Sequence, residues 1–522
     1  MSVNKGKCYI TTPIYYASGN VHIGNSYTTI AADVLARFQR LRGLDVFYLT
    51  GMDEHGQKIQ ESAAKQNKTP QQLVDEVAEN TKNIWNILKI TNDDFIRTSD
   101  LKHIQVVQKV FEEMLKNDDI YLGSYEGDYC VSCEAYFTKT QLGPNGECPD
   151  CGKPTRKVSE ESYFFRLTKY QDKLLDFIKS HPGFIEPETR RNEVISFVES
   201  GLEDLSVSRS TFNWGVEIPS NPKHVVYVWL DALFNYLSAL GYKTDDDSQY
   251  KKYWSKDSKI YQLVGKDILR FHAVYWPIFL MSMGVDIDFT LYVHGWLLTK
   301  EGKMSKSVGN VVYPQDLVSR YGLDATRYYL AKELPLGNDG IFTYDRFFER
   351  YNADLANDLG NLVSRTISMI NKYFNGRIEK SSERTEFDDD FERVIKENSE
   401  EAIKEYDAFH LQNAIIKVQN ITSRANKYID ETAPWALSKD ETKKEVLKDV
   451  MYHLAEAIRI VNILLSPVLV DTKDLICDYL SIPHVENLDV EFGYDYQNPV
   501  ATSVQPLFKR LDIAKEIEAL NK

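Results

Sequence analysis

Long apolar stretches are missing from this sequence, and no run approaches the roughly 20 apolar residues that a helix needs to cross a bilayer. The N-terminus has neither the apolar core of a signal peptide nor the Arg- and Ser-rich pattern of an organelle leader. Internal repeats are absent as well. These absences predict a protein without membrane segments, and a cytoplasmic location is the expectation.

The sequence also lacks an excess of basic residues. Its 62 Lys and Arg residues face 77 Asp and Glu residues, which gives a net charge of −15 at pH 7. This acidity weakly disfavours a nucleic-acid partner, although a local basic patch is enough to contact phosphates. Hydrophobic residues make up 43% of the 522 residues, which predicts several folded domains rather than a disordered chain.

Cysteine is scarce, with six residues, but four of the six form two C-x2-C pairs: Cys130, Cys133, Cys148 and Cys151. Two such pairs can deliver four thiolates tetrahedrally to one Zn²⁺. The alternative is a pair of disulfides, which needs an oxidising compartment and awkward two-residue loops. We favour zinc, and four protein ligands make it structural. Cys8 and Cys477 stand alone and are expected to be buried small hydrophobes.

The apolar pattern predicts alternating strands and helices in the first two thirds of the chain. Residues 7–49 follow a strand–helix–strand pattern with Gly43 as helix stop, which predicts a parallel strand pair with a right-handed crossover. Two helices are expected at about 69–88 and 101–116. Three apolar runs predict that the sheet resumes after an insertion: 225–228, 260–264 and 289–293.

The remaining segments differ in composition. Residues 119–223 are rich in Tyr, Gly, Pro and Cys, with a helix near 170–179, which predicts a small inserted domain. From about Tyr344 onward nearly all residues are expected to be helical. The clearest helix is 447–465, ended by Pro467, and 380–390 is expected to be a loop between helices.

Two short motifs indicate a nucleotide site. His22-Ile23-Gly24-Asn25 follows the first strand and opens the first helix, where Gly24 would let a backbone approach a nucleotide and helix amides favour anions. Lys303-Met304-Ser305-Lys306-Ser307 is a Gly-flanked basic loop. Each motif alone is weak, because a basic, Ser-rich loop is more often a solvated turn.

Together, the two motifs resemble the HIGH and KMSKS signatures of class I aminoacyl-tRNA synthetases. The resemblance extends over nearly the whole chain to the methionyl-tRNA synthetase family. It rests on TTPIYY at 11–16, TGMDEHG at 50–56, YVWLDA at 227–232, GKDI at 265–268 and FH at 271–272. The two cysteine pairs also stand where this family has its zinc knuckle.

The resemblance implies an α/β fold with a Rossmann-like catalytic domain in two halves, 1–118 and 224–343. Residues 119–223 would be the inserted zinc-knuckle domain, and 344–522 the α-helical anticodon-binding bundle. The implied reaction joins methionine to tRNA(Met) through methionyl-adenylate, with ATP and Mg²⁺. Some relatives continue into a further tRNA-binding module that also dimerises them. The present sequence does not contain this module, so a monomer is the expectation.

For the nucleotide, the resemblance implies that His22 and Asn25 contact the phosphates and that Lys306 holds the leaving pyrophosphate with Mg²⁺. Lys303 is a weaker catalytic candidate. Asn25 replaces the second histidine of the signature and cannot become cationic. The implied ATP-binding set is Gly24, His294, Gly295, Trp296, Leu297 and Lys306.

For methionine, the resemblance implies that Asp53 binds the ammonium group, although Asp53, Glu54 and His55 together are also a possible metal set. The thioether requires a polarisable apolar pocket. The implied walls are Ile14, Tyr16, Trp229, Ala232, Leu233, Tyr236, Ile268 and His272. Core packing is the ordinary alternative for such residues, and Leu233 stands where relatives often have Pro.

For the anticodon, the resemblance implies Asn357, Asn361, Arg365 and Trp435. The first three are spaced by four residues, which places them on one helix face. Trp435 offers a stacking surface for an unpaired base. The alternative is a solvated polar face beside a packed tryptophan.

Rival functions remain within the same class and outside it. The leucine, isoleucine and valine enzymes carry an editing insertion that 119–223 is too short to hold, and the cysteine enzyme uses a zinc in its active site. A small nucleotidylyltransferase would need neither the helical tail nor the zinc knuckle. A catalytically silent RNA-binding paralogue would not need Asp53 or the Lys303–Ser307 loop.

Overall fold

The computed structural model describes residues 6–17, 19–133, 135–137, 141–304, 309–333 and 337–520. They form two compact units, here called the sheet unit and the helical unit. The sheet unit comprises Met1–Val21, Asp45–Asn86 and Thr91–Gly295. The helical unit comprises His22–Leu44, Ile87–Ile90 and Trp296–Lys522.

Strands are numbered in chain order within the described residues. The strands β1 to β16 are Lys7–Thr11, Tyr15–Tyr16, Asp45–Asp53, Asp94–Arg97, Ile120–Cys130, Ala135–Phe137, Arg156–Phe165, Ile185–Glu186, Leu205–Ser206, Ser208–Arg209, Val225–Val226, Ser258–Gly265, Phe289–His294, Leu297–Thr299, Gly302–Lys303 and Gly340–Ile341.

Helices are numbered in the same way. The helices α1 to α20 are Ile23–Leu41, Gln57–Lys65, Pro70–Ile87, Leu101–Lys116, Gln171–Ser180, Glu188–Glu199, Val228–Leu233, Asn235–Ser238, Ser248–Tyr253, Trp276–Ser282, Pro314–Tyr321, Leu323–Glu333, Tyr344–Arg350, Asn361–Phe374, Asp388–Asp407, Leu411–Thr432, Pro434–Leu437, Lys444–Leu465, Thr472–Leu480 and Ile513–Leu520. Two π-helical segments, Phe271–Tyr275 and Tyr351–Gly360, add to them.

The sheet unit is built on a seven-stranded sheet with the order β2-β3-β1-β12-β13-β8, in which β4 also pairs with β3. All of its strand pairs are parallel. The last four residues of β1 (Lys7–Thr11) are buried, as expected for a strand covered on both faces. Because the strands are parallel, their carboxyl ends meet at one edge, where ligands of open α/β sheets bind.

One predicted strand of this sheet is wrong. Residues 225–228 were expected to resume the parallel sheet, but Val225–Val226 pairs antiparallel with Ser208–Arg209 in a separate two-stranded sheet. Val228 already begins helix α7 (Val228–Leu233). A run of four apolar residues fits a strand and a buried helix equally well, so periodicity could not separate them. The other two predicted strands are confirmed as β12 and β13.

A second antiparallel sheet, β6-β5-β7-β9, belongs to the predicted insertion. Its long pair joins β5 (Ile120–Cys130) to β7 (Arg156–Phe165). Cys130 ends β5, so the first cysteine pair lies at the turn between β5 and β6.

A buried arginine connects several segments of the helical unit by hydrogen bonds. Arg327 is fully buried on α12 (Leu323–Glu333), and its Nη2 donates to Asp33 Oδ2 of α1 at 2.7 Å. Its other nitrogens donate to the carbonyl oxygens of Leu88 at 3.1 Å and Val468 at 3.0 Å. One guanidinium therefore joins four segments of the unit, as its five fixed donors allow.

The predicted helix 447–465 is confirmed within α18 (Lys444–Leu465). The predicted loop 380–390 is confirmed for residues 380–387. Its last three residues, Asp388–Asp390, belong instead to the first turn of α15, where acidic side chains favour the positive end of the helix dipole. The expectation that nearly all of the tail is helical is wrong. Residues 481–512 contain neither helix nor strand, and prolines, which lack the amide donor, recur there at 483, 499 and 506.

Among the described helices, none combines the length and apolar character that a membrane crossing requires.

Candidate functional site

The His22 side chain caps helix α1 (Ile23–Leu41). Its Nδ1 accepts from the Gly24 amide at 3.1 Å, and Asn25 Oδ1 accepts from the His22 amide at 3.3 Å. This is the reciprocal arrangement of a capping box. Because Nδ1 is an acceptor, the proton of the neutral ring is on Nε2.

Gly24 has a local steric role. A Cβ at this position would lie 2.9 Å from His22 Cε1, so any side chain would displace the capping ring. The first amides of the helix are also engaged, because Ile23 N–H donates to Val312 O at 3.0 Å and Asn25 N–H donates to His22 O at 3.0 Å. An anion at this turn would therefore meet side chains more than these backbone amides.

The Ile23–Val312 hydrogen bond joins the HIGH-like segment to the chain just beyond the lysine loop. Residues 305–308 of that loop, including Lys306, lie outside the described residues. On the near side, Lys303 is exposed, and its Nζ lies 4.5 Å from the centre of the Trp296 ring. On the far side, Asn310 Nδ2 donates to Thr299 Oγ1 at 2.8 Å. Both flanks of the loop are thus attached to the 296–299 segment.

The candidate adenosine segment begins at the carboxyl end of β13 (Phe289–His294). His294 Nδ1 donates to Gly295 O at 2.7 Å, and burial lowers the pKa of the imidazole. The ring is therefore neutral at pH 7. Trp296 and Leu297 follow. The Trp296 amide donates to Asp339, and Leu297 pairs with Gly340 in the three-stranded sheet β15-β14-β16.

In the sheet unit, Asp53 and Tyr16 are register partners of the parallel pair β3–β2. Both are half-buried, and Ala17 N–H donates to Asp53 O at 2.9 Å. The carboxylate and one predicted pocket wall are therefore adjacent at the carboxyl end of the sheet.

The Trp229 indole stacks on Phe271, with ring centres 3.6 Å apart and an interplanar angle of 4°. Trp229 and Ile268 are half-buried and pack against the core cluster that includes Leu233 and Tyr236. Four further predicted walls, Ala232, Leu233, Tyr236 and His272, are at least 95% buried. Ile14 and Tyr16 are also half-buried against the same cluster.

The polar atoms behind this wall are paired with each other. His272 Nδ1 lies 3.0 Å from Ile268 O, and because a carbonyl only accepts, Nδ1 carries the proton. His272 Nε2 then accepts from Tyr236 OH at 2.7 Å. Burial lowers the pKa of His272 to about 4, so the ring is neutral. A neutral aromatic lining suits a polarisable, uncharged side chain.

The four clustered cysteines form one site. Their sulfur atoms all lie within 4.8 Å of one another, with Cys130–Cys151 at 3.5 Å and Cys133–Cys148 at 3.8 Å. Tetrahedral coordination at about 2.3 Å per Zn–S bond requires sulfurs about 3.8 Å apart, whereas a disulfide requires about 2.05 Å. The geometry fits a structural zinc, and all four are free thiols.

The local backbone explains this arrangement. Gly152 has φ +68°, a conformation that favours glycine, and its amide donates to Cys148 O at 2.9 Å. Burial and the neighbouring sulfurs raise the pKa of Cys133. Four adjacent thiolates therefore require a cation.

The candidate anticodon residues are all exposed in the helical unit. Asn357 lies in the π-helical segment Tyr351–Gly360, whereas Asn361 and Arg365 lie on α14 (Asn361–Phe374). Arg365 Nη2 is 3.7 Å from Asp430 Oδ1, near the end of α16. Trp435 follows Ala433, whose φ of +43° turns the chain into α17, and the indole is 46% exposed.

Sequence reasoning missed several residues of this region. Phe271 belongs to a family motif, but the motif does not identify it as the stacking partner of Trp229. Asp231, His55 and His103 form a buried hydrogen-bonded network. No sequence signal could have joined them, because they come from three distant segments.

Comparison with known proteins gives consistent matches. The sequence pattern of the family described as tRNA synthetases class I (M) matches residues 8–159 and 152–367. Methionine–tRNA ligase of Bacillus subtilis (strain 168) is 51% identical over 98% of this chain and 78% of its own length. The Caldanaerobacter subterraneus subsp. tengcongensis enzyme of the same name is 50% identical over 98% of this chain and 80% of its own.

Solved structures agree with the sequence matches. Mycobacterium tuberculosis methionyl-tRNA synthetase bound by methionyl-adenylate has a TM-score of 0.92 and 37% identity, covering 96% of this chain and all of that one. The apo form of that synthetase has a TM-score of 0.85 and 34% identity, covering 98% of this chain and 99% of its own.

Proposed function

Because the chain belongs to the methionine–tRNA ligase family of class I tRNA synthetases, we propose that it activates methionine with ATP and transfers the methionyl group to the 3′-terminal ribose of tRNA(Met). The structural observation that carries the proposal is the hydrogen bond from Ile23 to Val312. It connects the HIGH-like helix start to the segment leaving the lysine loop, as a shared triphosphate site requires.

In the first step, a carboxylate oxygen of methionine attacks the α-phosphorus of ATP. The bond from the α-phosphorus to the bridging oxygen breaks, and pyrophosphate leaves. The attacking carboxylate is already ionised, so no general base is needed. The protein has to position the reactants and neutralise charge on the triphosphate.

Side chains of the helical unit supply this charge stabilisation. His22 Nε2 carries the proton of a neutral ring and donates to a phosphate oxygen, while Nδ1 remains the helix cap. Asn25 contributes an amide donor in place of the second signature histidine. Lys306 neutralises the leaving pyrophosphate together with Mg²⁺, which enters with the nucleotide, and Lys303 is a secondary cation. Gly24, His294, Gly295, Trp296 and Leu297 complete the ATP-binding set.

The sheet unit binds methionine. Asp53 accepts from the ammonium group, and the thioether lies against the neutral aromatic wall around Trp229 and His272. The complete methionine-binding set is Ile14, Tyr16, Asp53, Trp229, Ala232, Leu233, Tyr236, Ile268 and His272. The nearly complete burial of Leu233 supports its place at the back of the pocket.

In the second step, the 2′-hydroxyl of the terminal tRNA ribose attacks the adenylate carbonyl and AMP leaves. Recognition of the CAU anticodon falls to Asn357, Asn361, Arg365 and Trp435, whose exposure in the helical unit supports this role. Unpaired bases are read by stacking and edge hydrogen bonds. Zn²⁺ held by Cys130, Cys133, Cys148 and Cys151 has no open position and acts structurally.

We further propose that the enzyme is a monomer in the cytoplasm, where its product feeds protein synthesis. Sedimentation velocity tests whether it is a monomer. A second, faster-sedimenting species whose fraction grows with protein concentration would contradict this.

ATP–pyrophosphate exchange with each of the twenty amino acids tests the proposed reaction. We expect exchange driven by methionine alone. Exchange with another amino acid would assign the chain a different specificity, and exchange with none would leave the silent RNA-binding paralogue as the better description.

A further inference from the structure

We propose that Asp231 is a positioning residue of the methionine site. It fixes helix α7 (Val228–Leu233), which carries three pocket walls, to the segment that carries Asp53. This inference rests on the proposed function, because it assigns a further specificity-determining group to the same site.

The network around Asp231 consists of His55, His103, Asp231 and Ser238. Asp231 is fully buried, and its Oδ2 lies 2.7 Å from His55 Nδ1. Its Oδ1 lies 2.8 Å from His103 Nε2, and His103 Nδ1 lies 2.7 Å from Ser238 Oγ. Each carboxylate oxygen therefore has its own imidazole partner.

The carboxylate in this network is charged. Burial alone would raise the pKa of Asp231, but the charges and hydrogen bonds of His55 and His103 hold it below the ordinary value. An ionised carboxylate only accepts, so both histidines direct an N–H toward it. Hydrogen bonds to a buried charge are short, directional and strong, which suits them to hold two segments in register.

His55 connects the network to the ammonium-binding segment, because it lies two residues beyond Asp53. Glu54 between them is itself fixed, with its amide bonded to Thr98 Oγ1 at 2.9 Å and its carboxylate to Arg97 Nε at 2.7 Å. Glu54 and His55, the two residues that follow Asp53, are therefore both fixed by hydrogen bonds.

Asp231 connects the network to the side-chain pocket. It shares one six-residue helix with Trp229, Ala232 and Leu233. The Asp231–His55 pair thus fixes the distance between the ammonium partner and the thioether pocket. A ligand whose ammonium group binds Asp53 and whose side chain fills the pocket on α7 must have a side chain of matching length. The network therefore contributes to the selection of methionine by side-chain length.

The test compares His55→Ala with His55→Asn. The Asn amide nitrogen stands where His Nδ1 stands and restores the N–H toward Asp231. In pyrophosphate exchange, we expect His55→Ala to raise the KM for methionine by about 10- to 100-fold, as small misplacements do. The KM for ATP should stay nearly unchanged, and His55→Asn should recover most of the methionine KM.

Asp231→Asn should behave like His55→Ala, because its amide group cannot accept from both histidines. Its preference for methionine over ethionine, which is one methylene longer, should also fall. His224→Asn is the matched control, since His224 is a buried histidine of the same unit that bonds instead to Ser208 at 3.1 Å. It should leave both KM values and the preference unchanged.

Two results would overturn the proposal. One is an equal effect of His55→Ala and His55→Asn on the methionine KM. The other is a parallel rise of both KM values with an unaltered preference over ethionine, which would indicate a general loss of structure. If the wild-type chain showed no methionine-dependent exchange, the proposed function itself would fail, and that result is distinct from both.

Discussion

At the scale of single residues, His22 combines a structural role with a proposed chemical one. Its Nδ1 caps helix α1 (Ile23–Leu41), whereas its Nε2 is the proposed phosphate donor. Asn is also a good N-cap residue, so two substitutions can separate these roles. His22→Asn should keep the melting temperature but lower the exchange rate by about 100-fold, the usual effect of losing one transition-state donor.

His22→Ala should lose both the helix cap and the phosphate donor. Its exchange rate should fall as in His22→Asn, and its free energy of unfolding should also fall by about 1 kcal/mol. Thermal unfolding and pyrophosphate exchange on the same samples measure the two effects. Full activity of His22→Asn would remove the imidazole from the proposed mechanism and leave only the cap.

Asp449 provides a prediction for stability against pH. Burial and the nearby Asp388 carboxyl together raise its pKa to about 7, against the opposing effect of His453. Carboxylate oxygens of Asp388 and Asp449 and a ring nitrogen of His453 lie within 4.8 Å of one another. The next charged groups around them are Glu392 and Arg384. The folded state therefore binds the Asp449 proton more tightly than the unfolded chain does.

Stability from this proton is fully present below the unfolded pKa of about 3.9 and is lost as the pH rises toward the folded pKa. Asp449→Asn mimics the protonated form and should flatten this decline. At pH 8 the variant should be more stable than the wild type by about 1 to 2 kcal/mol. Chemical denaturation at pH 5 and pH 8 measures both effects. The control is Glu400→Gln, which changes an exposed carboxylate on α15 (Asp388–Asp407), the helix that carries Asp388. Equal slopes in wild type and Asp449→Asn would contradict the assignment.

At the scale of secondary-structure elements, the zinc knuckle is a small turn-rich element with little core of its own. Among the described residues of the knuckle, the cluster around its sulfurs contains Phe137 and Leu142 besides cysteines. Metal binding must therefore supply most of the local folding free energy. Metal analysis should find about one zinc per chain, and Cys148→Ser should lower the zinc content and the stability of this region.

The matched control is Cys477→Ala, which changes a buried cysteine outside the cluster. It should retain the full zinc content, although its cavity lowers global stability. Limited proteolysis near residues 131–155 should become faster after chelation of the wild type and in Cys148→Ser. A folded, protease-resistant knuckle without metal would refute the structural role of zinc.

Elements with strong local signals were predictable from the sequence. The predicted helix 447–465, found within α18, has an apolar stripe over several turns, and the spacing of the two cysteine pairs favours a four-thiolate site. The 225–228 strand and the helical tail after residue 480 failed because local apolarity does not determine pairing partners, and scattered prolines interrupt helices. The Asp231 network was unpredictable for another reason: its four residues are joined only by the tertiary fold.

At the scale of the whole molecule, the proposed reaction has two halves with different requirements. Adenylate formation needs ATP and methionine, whereas charging also needs the tRNA anticodon. The candidate anticodon residues belong to the helical bundle, far along the chain from the motifs that carry the first step. Substitution there should consequently separate the two activities.

Trp435→Ala makes this separation measurable. The indole is 46% exposed, so it is available for stacking on an unpaired base. Base stacking on an aromatic side chain contributes about 1 to 3 kcal/mol, so kcat/KM for tRNA should fall by roughly 10-fold or more. Methionine-dependent pyrophosphate exchange should be almost unaffected. Leu475→Ala is a fitting control, because Leu475 is an apolar side chain of the same unit with 43% exposure, and it should alter neither activity. Equal loss of exchange and charging in Trp435→Ala would place the tryptophan in folding rather than in tRNA recognition.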